Sequence, residues 1–556
     1  MTAANLPPAA ASRPIAPAVI LLFWLAATVL WFSSLACRDL AGTDEGRYAE
    51  IAREMAQTGD FITPRLNGLK YFEKPALQYW MTALSFRAFG ESEFVARLWP
   101  GLSGFLTVLL VAWTARRLWG REAGFYTALV TASMVWMIGV SHYITVDMSV
   151  SFFLALSLCG FLVAQQEDTA PSARRRWMLL VWAAMAGAVL SKGLIGVVIP
   201  GAVMVLYSLI YRDWKVWPRM EPLWGPLLFL LLAAPWFVMV SLKNSEFAQF
   251  FFIHEHFQRF ATDEARRPGG WYYFVPVLVG GLLPWTSLLP QVLRDAVRRE
   301  PGRFQANGVL LVWCGFIFVF FSASSSKLPG YILPMFPALG LLLGRWLTRL
   351  PAAALWPHCI ILMVLWLGGA IYAPIFGMSA SRRMPMEFNH AFSGWVLAAA
   401  LAMIIAAALA GLAARRGERT QALLRLSLGG LVFGAIALFG YQVYSPMVSA
   451  KGTATAMLPY LEPDTEVFSL SRYEQSLPFY LKRTVTLVDY VDEFDLGEKA
   501  EPSRWIPRME DFPKRWLAAR SAVAVSSPDT YEALRRDGLP MTVIYQDVRR
   551  VAFRKP

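Results

Sequence analysis

The chain has 556 residues, a net charge of +13, 56% hydrophobic residues and only 16% charged ones. A soluble protein carries about one-quarter charged residues, so the composition excludes an ordinary soluble enzyme. The basic residues fall in short clusters between apolar runs, which excludes nucleic acid as the partner, and the four cysteines (Cys37, Cys159, Cys314, Cys359) form no CxxC pair, which excludes a zinc knuckle or a disulfide framework.

The first apolar run, 15–37, is too long for the core of a signal peptide and passes into a polar segment with no clear cleavage site. About 13 runs of membrane-spanning length follow the chain: 15–37, 98–116, 122–141, 146–165, 177–191, 194–211, 223–242, 272–292, 307–324, 331–347, 353–377, 392–413 and 427–446. Basic clusters occupy alternate loops: Arg116, Arg117 and Arg121; Arg174, Arg175 and Arg176; Arg212, Lys215 and Arg219; Arg294, Arg298, Arg299 and Arg303; Arg345 and Arg349; Arg415, Arg416, Arg419 and Arg425. Positive charge marks the cytoplasmic side. The N-terminus is then inside, and loops 38–97 and 243–271 and everything beyond about 447 lie outside.

Loop 38–97 has amphipathic stretches at 50–57 and 76–89, the latter with Leu77, Trp80, Met81 and Leu84 at helical spacing, which reads as helices lying at the membrane interface. Its opening motif, GTDEGRYAEIAREM (42–55), places Arg47, Tyr48 and Ile51 on one face of a helix begun by Asp44. Thr43 or Asp44 as a helix cap, worth about 1 kcal/mol, is the plain alternative. A cap leaves Glu45, Arg47 and Tyr48 together unexplained. The next motif, Lys70-Tyr71-Phe72-Glu73-Lys74-Pro75, sets two aromatics, an acid and bases before a helix that Pro75 can begin. That composition suits a lipid headgroup, although an aromatic anchor with snorkelling lysines has the same look.

Charges in an apolar context cost energy unless they are paired or used. Three outer turns carry such charges: Ser141-His142-Tyr143-Ile144-Thr145-Val146-Asp147, Ser191-Lys192-Gly193 and Lys327-Leu328-Pro329-Gly330-Tyr331. Loop 243–271 holds His254-Glu255-His256-Phe257-Gln258-Arg259-Phe260, then Asp263, Glu264, Arg266 and Arg267. Residues two apart share a face only in a strand, so the His-Glu-His run alone is a weak metal signal. Glu73 with His254 and His256 leaves a divalent ion (Zn, Mg or Mn) open, although no cofactor is required. From Ser449 onward helical stretches (454–461, 473–481, 528–536) alternate with β-rich runs (466–468, 485–488, 522–525, 541–545). This reads as a small α/β domain, 448–556, after a transmembrane domain, 1–447.

The combination Asp44-Glu45-x-Arg47-Tyr48-Ala49-Glu50-Ile51 and Arg65-x-x-Gly68-x-x-Tyr71-Phe72-Glu73-Lys74-Pro75 resembles the C-type membrane glycosyltransferases that use polyprenyl-phosphate sugars. Within them it is most similar to the lipid A 4-amino-4-deoxy-L-arabinose transferases of Gram-negative bacteria. Tyr143-x-x-x-Asp147, Ser191-Lys192-Gly193, Glu255-His256-x-Gln258-Arg259-Phe260 and Lys327-Leu328-Pro329-x-Tyr331-Ile332-Leu333 follow in the same order, so the likeness runs from 40 to about 335. Gly46 departs from it, since the family often has Thr there.

The resemblance implies an α-helical polytopic C-type glycosyltransferase fold in the bacterial inner membrane, with its active site and C-terminal domain periplasmic. It also implies an undecaprenyl-phosphate aminoarabinose donor, a lipid A phosphate acceptor, and resistance to polymyxin and cationic peptides. The family's catalytic carboxylate maps onto Asp44. Two phosphates must approach one carbon where repulsion is weakly screened, so several cations are needed. The expected catalytic set is Asp44, Arg47 and Lys74. Glu45, Tyr48, Tyr71, Glu73, Tyr143, Asp147, Lys192, Arg259, Lys327 and Tyr331 are the expected substrate contacts. Asp44 can orient the acceptor, accept a residual proton or pair with the sugar's amino group; orientation with proton acceptance is favoured. A related transferase with another sugar or a protein acceptor stays open. A lipid flippase is disfavoured, because the charges gather at span ends on one side instead of at the midplane.

Overall fold

The computed structural model describes residues 15–258, 269–381, 384–502 and 505–556, with 254–258 given by backbone course alone. Among these residues nine helices are long and apolar enough to cross a membrane. Two more spans are broken: Arg121–Ser133 with Val135–Ser141, bent by 62°, and Phe274–Gly281 with Thr286–Ala296, bent by 108°. Pro171–Lys192, which opens near three arginines, and the 17-residue Ile195–Tyr211 occupy the other predicted positions.

A broken helix leaves backbone groups that lipid cannot satisfy. Here the two breaks satisfy each other: the Val135 amide donates to the Leu283 carbonyl at 3.1 Å, and the Trp285 indole donates to Ser133 Oγ at 3.0 Å. Around them Val146–Ala164 and Pro329–Leu347 are the most enclosed spans, whereas Ala352–Gly377 and Trp224–Lys243 present most of their apolar surface outward. The two central spans deliver Asp147 and Tyr331 at their N-terminal ends, on one face of the protein.

Loop 38–97 is built from the helices Gly42–Thr58 and Leu77–Phe89 and a two-residue hairpin pairing Arg65–Leu66 with Leu69–Lys70. Asn67 and Gly68 both have positive φ, as a tight hairpin turn requires. The Gly42–Thr58 helix differs from a simple interfacial helix. Its polar residues Glu50, Arg53 and Glu54 are buried where the C-terminal domain covers the side a surface helix would expose, and Glu45 is buried against Arg38 and Arg97 at the ends of the loop.

That domain is a five-stranded sheet in the order Thr486–Val488, Glu466–Leu470, Ala522–Ser526, Val551–Arg554, Thr542–Gln546. The first three are parallel neighbours, and the last two pair antiparallel. Val551–Arg554 went unread in the sequence, being four residues set among arginines. All of Ala522–Ser526 is buried. Its alternate residues serve two cores: Ala522 and Ala524 pack with Phe512, Trp516 and Phe553, while Val523 and Val525 join Leu66, Leu69, Tyr79 and Ala83 of loop 38–97. The domain therefore shares a core with that loop.

Gly46 permits the closest part of this contact: a Cβ there would lie 2.5 Å from the Gln475 and Ser476 backbone. Overpacking of this kind typically costs about 1 to 3 kcal/mol. Gly46→Thr is accordingly expected to lower the thermal unfolding midpoint and expose the segment near 475 to protease; an unchanged midpoint and digestion pattern would show that the backbones separate freely.

Candidate functional site on the sheet-bearing face

Opposed helix ends build the first half of the site. Thr145 caps Val146–Ala164, its Oγ1 accepting from the Asp147 amide at 3.2 Å, so Asp147 sits in a first turn where negative charge is favoured. Lys192 closes Pro171–Lys192, where positive charge is favoured, and its ammonium pairs with Asp147. The same ammonium lies 4.5 Å from the Tyr331 ring centroid, a cation–π distance. Tyr331 comes close because residue 330 is glycine: a Cβ there would fall 2.4 Å from Asp147 Oδ2. Tyr143 reaches the start of loop 38–97, donating to the Ala41 carbonyl at 3.3 Å. Asp44, half-buried in the first turn of Gly42–Thr58, is within electrostatic reach of Tyr48, Tyr143 and Lys192.

One helical turn on, Arg47 anchors the second half. Its guanidinium donates to the Tyr71 hydroxyl at 3.1 Å and to Glu493 Oε1 at 3.1 Å, and lies 3.9 Å from Glu73 Oε2. Burial, with Asp44 adding to it, pushes the Tyr48 phenol well above its usual range. Burial and then Glu73 do the same for Tyr71. Both hydroxyls therefore keep their protons at neutral pH and serve as neutral hydrogen-bonding groups. Lys74 is half-buried and donates to the Glu73 carbonyl at 2.8 Å; Lys327 is buried and donates to the Ser324 carbonyl.

Glu45, expected as a substrate contact, is placed elsewhere. It is fully buried and accepts from Arg38 (2.5 and 2.9 Å), Arg97 (2.8 and 2.9 Å), the Ala41 amide (2.8 Å) and the Ile144 amide (3.2 Å). Burial alone would raise its pKa, but the charges of Arg38 and Arg97 and their hydrogen bonds override it and hold the carboxyl at about 2. With every oxygen occupied, Glu45 has no valence for a headgroup. It is a structural anchor beneath Asp44.

Arg38 and Arg97 went unnoticed in the sequence, although each is the charged residue at one end of loop 38–97. Glu493 left no sequence signal. Arg259 lies outside the described residues, as do the side chains of His254 and His256. Among the described residues no three His, Cys, Asp or Glu side chains gather to hold a metal.

Asp44, Arg47, Tyr48, Tyr71, Glu73, Tyr143, Asp147, Lys192 and Tyr331 thus come together from separate segments at one membrane face, in a mixture of fixed cations, carboxylates and phenols. Such a set can hold anionic headgroups and orient a hydroxylated or aminated sugar between them.

Known proteins carry the same arrangement of segments. A family model described as "Aminoarabinose transferase C-terminal domain" matches residues 453–555, and one described as "Dolichyl-phosphate-mannose-protein mannosyltransferase" matches 12–251. The undecaprenyl phosphate-alpha-4-amino-4-deoxy-L-arabinose arabinosyl transferase of Edwardsiella ictaluri is 30% identical over 85% of this chain and 86% of its own length. A second such transferase, from Sodalis glossinidius, is 31% identical over 89% and 91%. The crystal structure of ArnT from Cupriavidus metallidurans bound to undecaprenyl phosphate superposes with a TM-score of 0.93 at 38% identity, covering 97% of this chain and 98% of that one.

Proposed function

The chain belongs to the undecaprenyl phosphate-aminoarabinose arabinosyl transferase family, multi-pass membrane glycosyltransferases with a lipid-linked sugar donor, and from that premise we propose that it moves 4-amino-4-deoxy-L-arabinose from undecaprenyl phosphate to a phosphate of lipid A. The reaction lies on the periplasmic face of the inner membrane. Its polarity is supported by the opposite ends of the spans, where Arg117, Arg303, Arg345 and Arg419 pair with Asp168, Asp213, Glu300 and Glu122 in the cation-rich loops that mark a cytoplasmic side. Placing a positive amino group on lipid A lowers the outer membrane's negative charge and weakens polymyxin and cationic peptides.

In the step itself an acceptor phosphate oxygen attacks the anomeric carbon, and the bond from that carbon to the polyprenyl phosphate oxygen breaks. The leaving phosphate monoester has its second pKa near 6, so it departs with little acid assistance, and the acceptor is largely deprotonated at neutral pH. What remains is repulsion between two phosphates. Arg47, Lys74 and Lys192, with Lys327 and Arg259, supply the positive charge. Asp44 orients the acceptor and takes its residual proton. Glu73 and Asp147 hold the sugar's hydroxyls or ammonium, and Tyr48, Tyr71, Tyr143 and Tyr331 close around it. The observation that carries this reading is the meeting of Asp44, Arg47, Asp147, Lys192 and Tyr331 at one face.

The test is to express the chain in a Gram-negative host lacking its own lipid A aminopentose transferase and to weigh the lipid A. Addition of one or two aminopentoses is expected. A different added mass would mean another sugar, and unmodified lipid A with wild-type protein levels would remove the specific assignment.

A further inference from the structure

We propose that Glu493, in the C-terminal sheet domain, is a positioning residue for the transfer reaction, holding Arg47 in place from outside the membrane domain. The proposal rests on the reading of Arg47 given above. Of the two carboxylates beside the Arg47 guanidinium, Glu493 is at hydrogen-bond distance, 3.1 Å, and Glu73 is beyond it at 3.9 Å. Glu493 is itself fixed by its own domain: Gln475 Nε2 donates to Oε1, and the Tyr490 hydroxyl donates to Oε2 at 3.1 Å. It cannot follow a moving arginine.

The domain that carries Glu493 is in turn tied to the loop that carries Arg47. Asn67 makes two hydrogen bonds with the Val485 backbone, each 2.7 Å, and Arg65 pairs with Glu501 at 2.9 Å. The Gln475–Ser476 backbone sits directly on Gly46. A position fixed on the sheet is thereby transmitted to a side chain in the site.

Glu493 decides which carboxylate Arg47 joins. Without it the guanidinium keeps the Tyr71 hydroxyl at 3.1 Å, has Glu73 as its nearest carboxylate at 3.9 Å, and closes the remaining gap to that charge. That motion draws one cation away from the phosphates and occupies the Glu73 oxygens expected to meet the sugar. Both losses affect the reacting geometry more than the long apolar tail of the donor, so turnover is expected to suffer more than binding. The function is one of geometry, so an uncharged acceptor of the same shape can perform it. A Gln at 493 still accepts from Arg47 through its Oε1, and its amide can meet the Tyr490 oxygen.

Steady-state transfer by the purified full-length protein, with a polyprenyl-phosphate aminopentose donor and lipid A, separates these roles. E493A is expected to lose kcat by about ten- to a hundredfold with the donor KM within about twofold, whereas E493Q stays within about threefold of wild type. In an R47Q background E493A is expected to cause no further loss, since a residue acting through Arg47 has nothing left to act on. E501Q, which loosens the same domain at Arg65, is expected to keep kcat within about twofold.

Wild-type kcat in E493A, equal losses in E493A and E501Q, or a full additional loss in the R47Q background would each overturn the proposal. Loss in R47Q with none in E493A overturns this inference alone, whereas wild-type turnover in R47Q overturns the site reading beneath it. Should E493A unfold below the assay temperature, E493D, which draws the carboxylate back by one methylene, takes its place with the same expected loss.

Discussion

Glu45→Ala is expected to destabilise the protein by about 3 to 5 kcal/mol, the loss typical when one partner of a buried ion pair is removed. Arg38 and Arg97 are 6% and 0% exposed, and both donate two hydrogen bonds to this carboxylate. Removing it leaves two buried guanidinium groups with no counter-charge and two backbone amides with no acceptor. The ends of loop 38–97 meet at this cluster, so the variant should lose the docking of the whole loop. The sign with pH is fixed by the depressed pKa. Stability from Glu45 is fully present above the ordinary carboxylate range and is lost as pH falls toward about 2. Thermal unfolding in detergent measures both effects. An unchanged midpoint in Glu45→Ala would mean the cluster contributes nothing net.

Asp44→Asn should give the opposite pair of results: intact folding and transfer reduced on the order of a hundred- to a thousandfold. Asn keeps the shape and hydrogen-bonding reach of Asp but cannot take a proton or present a negative charge. Asp44 is half-buried at a helix start and within reach of Tyr48, Tyr143 and Lys192, so the substitution acts among the groups expected to meet the acceptor. Equal unfolding midpoints for Asp44→Asn and wild type, with lipid A left unmodified by the variant, is the expected outcome. Wild-type modification by Asp44→Asn would remove its catalytic role.

The contrast between these neighbours marks the limit of what the string of residues conveys. Asp44 and Glu45 stand side by side in one acidic pair, yet a helix sends successive side chains about 100° apart. One falls within electrostatic reach of Lys192, and the other falls into a buried cluster with Arg38 and Arg97. Composition cannot separate them.

The spans were legible because lipid imposes length and apolarity on every crossing. Even the Arg121–Ser133 and Val135–Ser141 break lay inside a correctly placed apolar run. Its 62° bend was not legible, because the partner that makes it tolerable is a carbonyl about 150 residues away, on Leu283. The meeting of Asp147, Lys192 and Tyr331 followed from their common position at span ends on one side. Glu493 was out of reach for a different reason. Its function depends on the sheet domain docking over Gly46, and nothing local to 493 records where that domain sits.

The central claim is that cations from distant segments meet to hold two anionic headgroups together, and equilibrium binding of undecaprenyl phosphate to the purified protein tests it most directly. Lys74→Ala and Lys192→Ala are each expected to weaken binding by about tenfold or more, the usual cost of a lost charge-assisted contact, while Glu501→Gln on the docked domain leaves it unchanged. Wild-type affinity in both lysine variants would contradict the shared site.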